Sequence, residues 1–123
     1  MKKILLIEDE TNIRALYAEV LRDDGYEVTE IGEGGTGYEA AKAGDWDLLL
    51  LDIMLPTMDG VKLLKELKGN AMAVAKPVVV VSNLDDENVK NTCLELGAKE
   101  FLVKSNVMPN DVLLTVKKYV FND

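Results

Sequence analysis

Five short apolar segments are spaced along the chain, and three of them are unbroken. The unbroken ones are residues 4–7 (ILLI), 48–51 (LLLL) and 78–81 (VVVV), and a polar residue follows each. Continuous apolar runs of this length are typical of strands buried on both faces of a parallel sheet. Segment 26–31 partly alternates and segment 101–103 is short, so the pattern predicts outer strands there.

Helical patterns occupy the segments between these strands. In the first, apolar residues recur at i, i+3, i+4, i+7 and i+8, which forms one stripe, and Gly25 can end the helix in a left-handed conformation. The stripe consists of Ile13, Leu16, Tyr17, Val20 and Leu21. Four further helices are predicted at 38–43, 61–67, 89–96 and 112–120.

This alternation of five strands with five helices indicates a doubly wound α/β sheet with right-handed crossovers and helices on both faces. The longest irregular stretch, 68–76, is predicted to be a loop. Because no linker, low-complexity tract or repeat divides the chain, we expect one domain over residues 1–123.

Charge and composition exclude several functions. The 123 residues include 22 acidic and 14 basic side chains and no histidine, so the formal net charge is −8. Direct nucleic-acid binding is not expected, because it depends on clustered Lys and Arg. The lack of histidine excludes Ser-His-Asp and Cys-His catalysis, a His-ligated zinc site and a phosphohistidine on this chain.

Other sequence features indicate a cytoplasmic domain that does not enter a membrane. The single cysteine, Cys93, cannot form an intramolecular disulfide and fits an apolar helix face in a reducing compartment. The N-terminal MKKILLIEDE lacks the apolar core of a signal peptide. No stretch approaches the ~18 apolar residues of a membrane span.

Polar side chains follow four of the predicted strands, at the edge where parallel strands place their binding sites. Glu8 and Asp9 follow the first strand and Asp52 the third, while Ser82 and Lys104 follow the fourth and fifth. Three neighbouring carboxylates repel one another, so the group requires a cation or a raised pKa.

Carboxylate oxygens suit Mg²⁺, or Mn²⁺, which binds phosphate through its remaining positions. Lys104 and Ser82 are then available for an anion, and an aspartate can itself accept a phosphoryl group as an acyl phosphate. The alternative is that all five residues only cap strand ends.

The chain resembles the receiver domain of two-component response regulators over essentially its whole length. The resemblance rests on ILLIED (4–9), LLLLDIMLPTMDG (48–60), VVVVS (78–82) and GAKEFLVK (97–104), in that order. It implies a flavodoxin-like sheet of strand order 2-1-3-4-5. It also implies transfer of phosphoryl from a phosphohistidine on a sensor histidine kinase or a histidine phosphotransfer protein.

Carried over residue by residue, the resemblance implies a role for each member of the group. Asp52 would be the phosphoacceptor, and Asp9, Asp52 and the backbone carbonyl of Met54 would ligate Mg²⁺, with Glu8 holding metal-bound water. Ser82 and Lys104 would bind phosphate oxygens. Phe101 would be the aromatic switch, which turns inward when Ser82 moves toward the phosphate.

Two departures from the family pattern stand out. Where the family usually has Lys-Pro, often with a cis bond, this chain has Lys104-Ser105. A cis bond before a residue other than proline costs ~3 kcal/mol, so either the surroundings hold it or the loop rearranges. The loop at 105–110 is also longer than usual, and Pro109 suits the first turn of a helix.

Residues 32–37 (GEGGTG) match the dinucleotide fingerprint G-x-G-x-x-G. They follow the second predicted strand instead of the first, and no acidic residue closes a following strand at the usual ~20-residue spacing. We therefore predict a flexible turn into the second helix and no nucleotide site. In the loop after the third strand, Asp59 is expected to cap the third helix.

Met54 and Leu84 are expected to flank the path of water toward a phosphorylated Asp52. Both are apolar and cannot orient that water, so the acyl phosphate is predicted to hydrolyse slowly.

Three functions compete on this sequence. The first is a phosphorylation-controlled switch that accelerates transfer only to its own Asp52 and is not a turnover enzyme. The second is a degenerate receiver that acts as a phosphorylation-independent interaction module, for which Lys104-Ser105 is the main argument. The third, an aspartate-dependent phosphatase or phosphotransferase, would need a substrate pocket or cap for which the chain has no spare residues.

The output partner is not specified by the sequence. The fourth helix, fifth strand and fifth helix, around 89–120, form the family's usual partner surface. Here that surface carries mixed charge that could also support a homodimer. Its charged residues are Lys90, Glu95, Lys99, Glu100, Lys117 and Lys118.

Overall fold

A five-stranded parallel sheet with helices on both faces forms the protein. The computed structural model describes residues 1–56, 58–70 and 76–121. The strands are β1 (Lys3–Ile7), β2 (Glu27–Ile31), β3 (Leu48–Leu51), β4 (Val78–Ser82) and β5 (Glu100–Val103). The helices are α1 (Thr11–Asp23), α2 (Gly34–Ala43), α3 (Gly60–Lys68), α4 (Glu87–Glu95) and α5 (Pro109–Tyr119), and a short 3₁₀ helix spans Lys104–Asn106.

The strand order is β2-β1-β3-β4-β5, and all four pairings are parallel. The predicted doubly wound fold and its strand order are therefore confirmed. Order reverses at β1, whose register places Ile7 beside Leu51 of β3. Glu8 and Asp52 consequently leave the sheet side by side.

Side-chain alternation along the strands divides the apolar residues into two cores. Leu5, Ile7, Leu49, Leu51 and Val80 face α2, α3 and α4. On the other face, Ile4, Leu6, Leu48, Leu50 and Val81 pack against α1 and α5. The three unbroken apolar runs are thus buried on both faces, as their patterns predicted.

Several boundary predictions are confirmed. Gly25 has φ 95° just after α1, Asp59 caps α3 by accepting a hydrogen bond from the Val61 amide, and Pro109 is the first residue of α5. Cys93 is fully buried on α4. Most of the predicted 68–76 loop lies outside the described residues.

The predicted turn at 32–37 is wrong, because α2 begins at Gly34 and includes most of the glycine run. The Glu33 carboxylate accepts hydrogen bonds from the amides of Gly35 and Thr36 and so caps the helix. A Cβ at Gly37 would lie 2.8 Å from Ile7, and one at Gly34 would lie 2.6 Å from Met58. The glycines therefore allow close helix packing, and a carboxylate of the chain occupies the amides that a phosphate would need.

No helix in the described part of the chain has both the length and the apolar character to cross a membrane.

Candidate functional site

Three acidic residues meet at the carboxyl edge of the sheet. Glu8 and Asp9 follow β1, Asp52 follows β3, and one carboxylate oxygen of each lies within 4.8 Å of the other two. Glu8 and Asp52 are buried, whereas Asp9 is exposed. The predicted carboxylate cluster therefore forms, with two members inside the protein and one at its opening.

Lys104 joins this cluster from the end of β5. Its side chain is buried, and Nζ lies 3.0 Å from Asp52 Oδ2 and forms an ion pair with Glu8 Oε1. The ammonium thus neutralises part of the repulsion between the two buried carboxylates.

The departure at Lys104-Ser105 does not move Lys104 out of the site. None of the peptide bonds in the described segments is cis, and Lys104 begins the 3₁₀ helix, in which the Val107 amide donates to the Lys104 carbonyl. The sequence left open either a cis bond held by its surroundings or a rearranged loop, and the structure has the rearranged loop.

Backbone amides hold the remaining oxygens of the two buried carboxylates. The Glu10 amide donates to Glu8 Oε2, and the Met54 amide donates to Asp52 Oδ1, both at 2.9 Å. Among the described residues, no hydrogen bond to the Asp9 carboxylate is found. Within this part of the chain, the Asp9 carboxylate therefore has no hydrogen-bonding partner that fixes it.

Burial changes the protonation of this group. Burial raises the pKa of Glu8 to about 7, although the hydrogen bonds from Lys104 and the Glu10 amide oppose the shift. Burial also acts to lower the pKa of Lys104, but its hydrogen bonds to Glu8 and Asp52 outweigh that effect and raise it. Lys104 is accordingly charged at neutral pH, and Glu8 keeps its proton to higher pH than an ordinary glutamate.

A crevice of about 290 Å³ opens directly over these groups. The described residues that line it are Asp9, Glu10, Asp52, Met54, Asn83 and Lys104. Its volume can accommodate a phosphoryl group and several waters, because one water occupies about 30 Å³ of liquid.

Ser82 and Phe101 lie nearby but outside this contact network. Ser82 is fully buried, and its hydroxyl accepts a hydrogen bond from the Leu84 amide at 3.3 Å. It is not one of the described residues that line the crevice. Phe101 is 8 % exposed and borders a separate cavity of about 280 Å³ with Asp85, Lys90 and Val107.

Sequence reasoning missed three residues of the site. Glu10 supplies an amide to Glu8, Asn83 lines the crevice, and Arg14 donates from Nη1 to the Glu8 carbonyl at 2.9 Å. Asn83 could have been found from its position directly after β4. The contact of Arg14 carries no sequence signal, since it depends on how α1 packs beside β2.

Comparison with known proteins identifies the family. A family model described as "Response regulator receiver domain" matches residues 4–116. The chain belongs to this family. Receiver domains bind Mg²⁺ at an acidic pocket, and the oxygen donors of Glu8, Asp9 and Asp52 fit that ion in type and proximity.

Curated relatives in the family include two-component regulators. The receiver chain is 35 % identical over 104 residues to the sensory transduction protein RegX3 of Mycolicibacterium smegmatis, covering 85 % of this chain and 44 % of RegX3. It is 34 % identical over 116 residues to the alkaline phosphatase synthesis transcriptional regulatory protein PhoP of Bacillus subtilis, covering 94 % of this chain and 47 % of PhoP. The chain thus spans just under half the length of these relatives.

Solved receiver structures have the same fold. A CheY-like receiver domain from Methanospirillum hungatei superposes with a TM-score of 0.88 at 28 % identity, covering 96 % of this chain and 92 % of that one. The BeF₃-activated N-terminal receiver domain of Klebsiella pneumoniae RstA gives 0.86 at 29 % identity, covering 98 % and 100 %.

Proposed function

We propose that this receiver is a phosphorylation-controlled switch and that Asp52 is its phosphoacceptor. The observation that carries the proposal is the position of the Asp52 carboxylate. It lies below an open crevice, with Lys104 on one oxygen and two further carboxylates within 4.8 Å. In this arrangement an Asp52 oxygen can attack a phosphoryl group in the crevice. The negative charges of the carboxylates and the phosphoryl group must then be neutralised by Lys104 and a cation.

In the proposed reaction, an Asp52 oxygen forms a bond to phosphorus while the bond from phosphorus to a donor nitrogen breaks. The electron pair of that bond leaves with the donor imidazole. The donor is a sensor histidine kinase or a histidine phosphotransfer protein, the partners with which receiver domains of response regulators interact.

Asp9, Asp52 and the Met54 carbonyl would hold Mg²⁺ or Mn²⁺, with Glu8 binding metal-bound water. The ion, when bound, neutralises charge on the acceptor and phosphoryl oxygens. Lys104 is released from Asp52 to bind a phosphoryl oxygen, and the Ser82 hydroxyl turns from the Leu84 amide to donate to another.

The protein accelerates transfer only to its own aspartate and does not turn over an external substrate. The argument for a degenerate receiver was the Lys104-Ser105 departure, yet Lys104 contacts Asp52 despite it. This contact supports the switch over a phosphorylation-independent interaction module.

We propose that output uses the face built from α4, β5 and α5, where Phe101 borders a cavity of about 280 Å³. The occupant of this face is an output partner or a second copy of the chain. Sedimentation velocity with Mg²⁺ and beryllofluoride separates these occupants, since only the second copy raises the mass of the isolated protein.

Mass spectrometry after incubation with acetyl phosphate tests the phosphoacceptor. We expect Mg²⁺-dependent gain of one phosphoryl group that hydroxylamine removes, because hydroxylamine cleaves acyl phosphates. Asp52→Asn should abolish the gain, whereas Asp23→Asn, at an exposed residue at the end of α1, should leave it intact. Wild-type protein that takes up no phosphoryl, with or without Mg²⁺, would favour the interaction module.

A further inference from the structure

Arg14 connects α1 to the backbone of the acidic turn. Its Nη1 donates to the Glu8 carbonyl at 2.9 Å, and its Nε lies 3.7 Å from Glu30 Oε1 on β2. Arg22 lies 2.8 Å from the other oxygen of Glu30 and also donates to the Val28 carbonyl. The guanidinium of Arg14 is therefore held on one side by Glu30 and directed at Glu8 on the other.

The Glu8 carbonyl belongs to the peptide unit that leads into Asp9. The Glu8 amide is fixed by the sheet, through a 2.9 Å hydrogen bond to the Ile31 carbonyl, so the Arg14 contact fixes the next peptide plane. Among the described residues, no hydrogen bond to Asp9 is found, and this peptide sets the direction in which the Asp9 backbone presents its side chain.

The surroundings of Arg14 are shaped to the guanidinium. A Cβ at Gly32 would lie 2.6 Å from Arg14 Nη1, so even alanine there would press on the nitrogen that holds Glu8. The Arg14 side chain is 21 % exposed and that of Glu30 is 29 % exposed, which limits the freedom of both.

We propose that Arg14 is a positioning residue for the divalent-cation site and that it acts by orienting the Glu8–Asp9 peptide. The inference rests on the proposed metal site. The charge of Arg14 and its positioning role have opposite expected effects on Mg²⁺ affinity, because a nearby positive charge repels Mg²⁺. Removing Arg14 would tighten Mg²⁺ binding if only its charge mattered, and weaken it if orientation matters.

Calorimetric titration of the full chain with Mg²⁺ at pH 8 decides between these predictions. We expect Arg14→Met to raise the Mg²⁺ dissociation constant by about tenfold, as loss of a group that orients a metal ligand commonly does. Arg22→Met removes an equal charge from the same network without touching Glu8 and should change it by less than about twofold. Unchanged or tighter Mg²⁺ binding by Arg14→Met would overturn the proposal.

Two variants that keep the positive charge provide a test that does not depend on whether Arg14→Met folds. Gly32→Ala displaces the guanidinium and leaves all charges in place, and Arg14→Lys cannot contact Glu8 and Glu30 in one fixed fork. Both should bind Mg²⁺ more weakly than wild type, and wild-type affinity in both would also overturn the proposal.

The metal site itself is checked in the same titrations. Asp9→Asn and Asp52→Asn should each weaken Mg²⁺ binding strongly. The proposed metal site fails if wild type binds no Mg²⁺, or if both variants bind Mg²⁺ as tightly as wild type does. In either case the proposed role of Arg14 fails with it.

Discussion

At the residue scale, strand alternation places the acidic cluster with Lys104 on one face of the sheet and Ser82 with Phe101 on the other. Glu8 continues the phase of Ile4 and Leu6, which face α1 and α5, and Asp52 and Lys104 share that phase on their own strands. Ser82 and Phe101 have the opposite phase and belong to the side of α3 and α4. The Asp52 carboxylate, the proposed phosphoacceptor, and the Phe101 ring are therefore on opposite faces of one sheet.

Glu8 should make the metal-free protein less stable as pH rises. Because burial raises its pKa in the folded state from 4.5 to about 7, the folded protein binds a proton in this range that the unfolded chain has lost. The Glu8 contribution to stability is thus complete below pH 4.5 and falls as pH increases toward 7.

Urea unfolding in EDTA at several pH values from 4.5 to 8 measures the slope of the unfolding free energy against pH. Glu8→Gln, which cannot titrate, should flatten it, while Glu19→Gln on α1 should not. An equal slope in wild type and Glu8→Gln would contradict the assignment.

Met54 should determine how long the phosphorylated state lasts. Met54 and Leu84 line one cavity beside the site, and their apolar side chains offer no hydrogen bond to an attacking water. Met54→Asn supplies one, and a hydrogen bond worth about 1.4 kcal/mol in the transition state accelerates hydrolysis roughly tenfold.

Timing the loss of the phosphoryl mass after removal of acetyl phosphate tests this prediction. Met54 is 53 % exposed, so the substitution should not disturb the core, and Leu114→Asn on α5, also 53 % exposed, is the matched control. Rapid decay in wild type that Met54→Asn leaves unchanged would show the prediction to be wrong.

At the scale of the element, the close approach of α3 to the loop after β3 positions the part of the site that follows Asp52. The α3 N-terminus contacts the loop after β3, and the Gly60 amide donates to the Ile53 carbonyl at 2.9 Å. A Cβ on Gly60 would overlap the backbone of Ile53, which adjoins Asp52.

Gly60→Ala should therefore destabilise the fold by about 1–3 kcal/mol, the usual cost of overpacking. It should also weaken Mg²⁺ binding, because the displaced loop carries Met54. Urea unfolding and metal titration measure the two effects. Gly69→Ala is the control, since a Cβ there meets nothing closer than 3.7 Å, and similar stability of the two variants would contradict the packing argument.

At the scale of the whole molecule, a buried hydrogen bond joins the C-terminal end of α5 to the start of β2. The Tyr26 hydroxyl donates to the Val120 carbonyl at 2.6 Å across 94 residues of sequence. Both residues belong to the core beneath α1 and α5, next to the face that positions Glu8 and Asp52.

Tyr26→Phe leaves the Val120 carbonyl buried without this donor and should cost about 1–3 kcal/mol of unfolding free energy. Tyr38→Phe, whose hydroxyl makes no hydrogen bond among the described residues, should cost much less. Urea unfolding of both variants checks the prediction, which equal stabilities would refute.

The sequence alone determined the strands, the approximate positions of the helices and the edge at which the site forms. Short continuous apolar runs that alternate with helical patterns favour strands covered on both faces, and polar residues directly after such strands gather where parallel strands end. Glu8, Asp9, Asp52 and Lys104 were therefore predictable as a group from local patterns.

Only the tertiary structure decided how these residues are held. The pairing of Lys104 with both buried acids depends on the path of the chain after β5. The glycines in α2 depend on the space left by Ile7 and Met58. The contact of Arg14 with Glu8 depends on how α1 packs beside β2. Distant parts of the chain supply each of these partners. Local periodicity cannot encode such contacts, because they exist only after the elements have packed.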